Sequence, residues 1–146
     1  GHTTVCAPDP LDAPGDLTMV LPVGTLQPYR LLEARLIGAH GLSLVDADVA
    51  VVTPGADGAY ALPPVSAGWP TLEGGTVRPD SLIPAAGAEI SGFPQALVLH
   101  LHVDDPTTES AFEDVGLVYR AGLARYQQRL EYTQRLVPGD QVCTTS

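Results

Sequence analysis

Of the nine residues 96–104 (Ala-Leu-Val-Leu-His-Leu-His-Val-Asp), the last six alternate strictly between apolar and polar. Leu97, Leu99, Leu101 and Val103 fall on one face, with Ala96, Val98, His100, His102 and Asp104 on the other. A period of two belongs to a β-strand, because a helix would scatter those four apolar side chains around its axis. The same signature recurs in residues 42–52, where Val45, Ala47, Val49 and Val51 oppose Asp46 and Asp48. Residues 29–37 set Leu32, Ala34 and Leu36 against Glu33 and Arg35. That run is also made of good helix formers, but Gly38 and Gly41 close it so soon that a strand is preferred.

Three further strands are expected. Residues 18–23 make a short one, placed at a sheet edge by Pro22, which cannot donate to a ladder. Residues 115–120 and 125–133 form a hairpin around Ala121-Gly122-Leu123-Ala124. In its return strand Tyr126, Gln128, Leu130 and Tyr132 should face inward, and Arg125, Gln127, Arg129 and Glu131 outward. Residues 136–143 close the chain. Many short strands and no long amphipathic helix predict an all-β antiparallel sandwich.

Residues 53–95 break the pattern, with seven of the fourteen prolines and seven of the fifteen glycines. They predict one long connection with short extended pieces at 59–62 and 88–90; such connections are often functional. Its Trp69, in Gly-Trp-Pro, either plugs one end of the core or presents an aromatic for recognition. Trp69 and Tyr60 are the candidate binding surface. A length of 146 residues fits a single domain, here 17–146, preceded by a turn-rich arm over 1–16 whose Gly1 has the character of a tag-cleavage scar.

Charge narrows the partners. The chain has 17 acidic and 7 basic side chains, a net −10, and no lysine. Nucleic acid is not expected as a partner, since little here would neutralise a phosphate backbone. A lysine-bearing phosphate loop is impossible, and no apolar run reaches the ~18 residues of a membrane-spanning helix. Cys6 and Cys143, near the two ends, are either two unrelated thiols or a disulfide closing almost the whole chain. The disulfide is preferred, and with it an extracytoplasmic location, secreted or tethered. Thr3-Thr4-Val5 lacks the small residue that lipidation of Cys6 would need.

Residues 115–130 (Val-Gly-Leu-Val-Tyr-Arg-Ala-Gly-Leu-Ala-Arg-Tyr-Gln-Gln-Arg-Leu), the late Cys143, and residues 32–47 resemble a group of small actinobacterial extracytoplasmic proteins. The resemblance covers about half of the chain and implies an immunoglobulin-like sandwich. It assigns no activity and no site residue.

The sharpest chemical constellation is His100, His102 and Asp104, on one strand face at i, i+2 and i+4. Two imidazoles and a carboxylate suit copper or zinc, with Asp105, Glu109 or His40 to complete the set. The plainer alternative is that both histidines sit on the solvent face of an amphipathic sheet. The metallo-β-lactamase pattern fails because Asp105 stands where its last His belongs, and a cupin would need a nearer Glu and a third His. The acids from Asp104 to Asp114 offer oxygens for calcium without EF-hand spacing. Ser43 lacks the second glycine of a nucleophile elbow. Arg120, Arg125, Arg129 and Arg135 are expected to pair with acids across the final hairpin. The expectation is therefore a non-enzymatic binding or accessory domain for an unknown protein or cell-envelope ligand. Copper or zinc binding is the alternative, and a small hydrolase a remote third.

Overall fold

A computed structural model of the chain describes residues 3–23, 27–52, 65–68, 81–91 and 95–143. Trp69, Tyr60 and the segment 59–62 lie outside the described residues. The described residues form twelve strands, and no α-helix is found among them. In chain order these are β1 (Thr3–Pro8), β2 (Gly15–Val23), β3 (Tyr29–Ile37), β4 (Leu42–Val51), β5 (Val65–Ala67) and β6 (Ile83–Pro84). They continue as β7 (Glu89–Ile90), β8 (Gln95–Val103), β9 (Ser110–Phe112), β10 (Asp114–Ala121), β11 (Ala124–Leu130) and β12 (Tyr132–Val137). The strands make sheets of order β5-β2-β8-β4-β6, β11-β10-β3-β7 and β1-β12-β9. The fold is an all-β sandwich, antiparallel except where β1 runs parallel to β12.

The core lies between the sheets. Leu97, Leu99, Leu101 and Val103 of β8 are each at most 1% exposed, so the face read from alternation is the one buried. They meet Leu17, Met19 and Leu21 of β2, and Leu31, Val115, Leu117, Phe112 and Leu136 from the other sheets. Each fully buried leucine contributes about 1.5–3 kcal/mol by leaving water. The opposite face of β8 is divided: Ala96 and Val98 are covered in a smaller cluster with Val20, Ala50 and Val52, while His100 and His102 emerge beyond it.

Four expectations change. Val45 points outward, 54% exposed, because β4 carries an irregularity between Leu44 and Asp46 that displaces it from the alternation, and Val51, 42% exposed, stands at the end of the strand. Leu42 and Val49 are buried while Val45 is displaced to solvent. The expected strand 125–133 is two strands, β11 and β12, which change sheets at Glu131. Tyr126 and Gln128 are exposed because β11 is an edge strand overhanging the core. The arm over 1–16 is not all turn: β1 pairs along β12 from Thr3 opposite Tyr132 to Pro8 opposite Val137.

The edge placement expected for residues 18–23 is overturned: β2 is an inner strand between β5 and β8, and Pro22 is accommodated at its end. β5 pairs with β2 only over Leu17–Met19, leaving Pro22 paired to β8 alone among the described residues. Cys6 and Cys143 are bonded, with Cα atoms 5.9 Å apart and a sequence separation of 137. The bond ties the tail after β12 back to β1, and closing a loop of that size is worth up to about 5 kcal/mol in chain entropy.

Candidate functional site

Three surfaces hold the chemistry, and each is made by register. On the outer face of the five-stranded sheet, Asp16 of β2 lies opposite His102 of β8, and Asp46 of β4 opposite His100. The Asp16 carboxylate bridges both imidazoles, with Oδ2 3.2 Å from His100 Nε2 and Oδ1 3.1 Å from His102 Nδ1. Asp104 is farther, its Oδ1 4.0 Å from His102 Nε2. Sequence reasoning had aligned Asp104 with the histidines and missed Asp16, which lies 86 residues before His102 and becomes its partner only through β2–β8 pairing.

The hydrogen bond to His102, then that to His100, holds the Asp16 carboxyl below the usual aspartate range. Asp48, on the neighbouring strand, is pushed up by burial and secondarily by the charge of Asp46. Among the described residues no group of three or more His, Cys, Asp or Glu side chains is disposed to hold a metal ion. Two of the acids considered for calcium have protein partners: Glu109 pairs with Arg135 at 2.7 Å and Asp114 with Arg129 at 2.6 Å. Asp105 accepts from the Thr107 backbone N–H at 2.9 Å, closing its own turn. His40 is instead placed by a backbone bridge to Ala111, on the side of β9.

The second surface is a cleft of about 410 Å³ between the end of β2 and the β10–β11 hairpin. Its described lining includes Tyr29, Tyr119, Tyr126, Gln27, Gln128 and Pro22, with no charged side chain. The Tyr29 and Tyr119 rings lie 4.8 Å apart and tilted, and Tyr119 stacks on Tyr126 at 5.4 Å and 22°. Such spacings are those of attractive aromatic pairs. Burial, and after it the neighbouring Tyr119, raises the Tyr29 phenol above its ordinary value, so the hydroxyl stays a neutral donor. None of these tyrosines was singled out for binding from the sequence. The usable signal was the 115–130 hairpin, whose inward positions at 126 and 128 were read as core.

The third surface is the outer face of the β11-β10-β3-β7 sheet. Arg30, Arg120 and Arg125 stand in one cross-strand row, and Arg35 and Arg129 flank Gly116 in another. The expected pairing with acids holds for Arg129 and Arg135. It fails for Arg120 and Arg125, which face each other and have no carboxylate within ion-pair distance among the described residues. Compared with known proteins, the chain matches no family description and no curated protein sequence.

Proposed function

We propose that this chain is a non-enzymatic, extracytoplasmic binding module that takes its ligand in the tyrosine cleft. The observation that carries the reading is the lining: three tyrosines, two glutamine amides and no charge, in a chain with a net charge of −10. Concave sites with aromatic walls and a few placed polar groups are the usual form of ligand pockets. Phenol and amide groups donate and accept without demanding a charged partner, so a neutral ligand with flat apolar faces suits them best. A soluble cell-envelope oligosaccharide meets that description. The Cys6–Cys143 bond supports a location outside the reducing cytoplasm.

The test is a thermal-shift screen of neutral cell-wall oligosaccharides, run beside Tyr126→Ala and Tyr29→Ala. A ligand that binds only the folded state raises the melting temperature. The reading expects a rise in the wild type that both variants lose. A rise unaffected by either substitution would remove the cleft from the mechanism.

A further inference from the structure

The tip of the β10–β11 hairpin has a chemistry that neither the core nor the cleft uses. Residues 115–130 hold three arginines and no acid, in a chain with 17 acids. The turn projects Leu123 wholly into solvent, at 106% exposure, and a side chain built on Gly122 would meet nothing within 4 Å. Immediately behind it, Arg120 lies opposite Arg125 on one side and opposite Arg30 on the other. Like charges directly across a ladder are destabilising. Arg30 donates from Nη1 to the Gly87 carbonyl at 2.6 Å, whereas Arg120 and Arg125 find no carboxylate among the described residues. One position deeper, the stacked Tyr119 and Tyr126 rings flank the same tip. An exposed leucine buries nothing and facing arginines repel, so neither feature stabilises the fold.

We propose that this tip docks on an anionic lipid surface. Leu123 enters the boundary of the acyl region, with Ala121 and Ala124 behind it. Arg120, Arg125 and Arg30 meet lipid phosphates, for which the guanidinium fork is a bidentate donor. Tyr119 and Tyr126 lie at the headgroup level, where amphipathic rings are favoured. The spacing agrees: Arg120 and Arg125 stand at one level, and Leu123 lies two residues beyond Arg125, at most about 7 Å at the rise of a strand. Interfacial segments bury their apolar face to a similar depth of about 5–10 Å. The net charge of −10 does not forbid this, because exposed charges beyond a Debye length of about 8 Å are screened at physiological salt. A soluble polyanion would use the arginines but gain nothing from Leu123. The proposal goes beyond the cleft reading: the two share Tyr119 and Tyr126, but Arg120, Leu123 and Arg125, which carry the docking and its test, do not line the cleft, so either can fail alone.

The experiment is co-sedimentation of the disulfide-bonded protein with phosphatidylcholine vesicles, with and without phosphatidylglycerol. Binding is expected only to the anionic vesicles and should weaken as salt is raised. Arg120→Gln/Arg125→Gln should lower partitioning about 30-fold, from roughly fivefold per arginine. Leu123→Asp should lower it by at least on the order of tenfold through loss of the apolar contact. Both variants change exposed side chains, and an unaltered melting temperature confirms that each is folded. No binding to anionic vesicles, equal binding to neutral ones, or an unchanged double-arginine variant would overturn the proposal. So would capture by soluble polyphosphate that Leu123→Asp leaves intact while vesicle binding is absent.

Discussion

β8 and β11 are both alternating strands, yet they meet opposite fates. Along β8, five residues from Leu97 to Leu101 are interrupted by solvent only at His100, since β2 and β4 flank the strand and both of its faces are covered at one end. Along β11 every residue from Ala124 to Arg129 is exposed and Leu130 alone is half-buried. Alternation assigns a side chain to a face, while the position of the strand in its sheet decides whether that face has anything above it. A central strand becomes core, and an edge strand beyond the opposing sheet becomes surface. The arginines of β11 also protect that edge, since charged residues discourage pairing with other chains.

This contrast can be broken at several points. The largest effect is expected from Cys6→Ser/Cys143→Ser, which frees β1 and the tail that the bond ties together. Chemical denaturation should show a loss of up to about 5 kcal/mol. Leu99→Ala, in the middle of β8, should cost about 2–5 kcal/mol by the same measurement, through lost transfer energy and the cavity left behind. Gln128→Ala, at the corresponding depth of β11, should stay within about 0.5 kcal/mol of wild type. A cost near that of Leu99→Ala would mean that β11 is covered in solution and that the contrast is false.

The smallest effects concern the outer face of the five-stranded sheet. Because the folded Asp16 carboxyl is held below its unfolded value, its stabilising share is present above the unfolded aspartate range and is lost as pH falls through the lowered pKa. Asp48, raised by burial, acts in the opposite sense and favours folding as pH falls through its raised value. Melting curves from neutral to acidic pH should therefore show a shallower acid-side loss in Asp16→Asn than in the wild type. Copper or zinc in excess should leave the melting temperature unchanged. A metal-dependent rise abolished by His100→Ala/His102→Ala would instead make Asp16, His100 and His102 a metal site.

Much of the fold was legible because local rules suffice for it. Period-two alternation identified β3, β4 and β8, the hairpin signal identified β10, and Gly122 lies in the expected turn with a φ of +62° that suits glycine. The cysteine pair was legible from its count and placement. The break at Glu131 was not, because 125–133 alternates without interruption and only the separate partners of β11 and β12 divide it. Val45 was assigned inward because an irregularity in a ladder leaves no mark in composition.

The sites follow the same division. The sequence by itself determined which side chains share a strand face: His100 with His102, Tyr119 with Leu117, Arg125 with Arg129. Only the tertiary structure decided which faces meet across strands. Asp16 reaches both histidines through the β2–β8 register, and Arg30 joins Arg120 and Arg125 through a β3–β10 register shifted by an irregularity at Val118 and Tyr119. Register is set by long-range burial and turn geometry, so partners distant in the chain become neighbours only when the whole core is assembled.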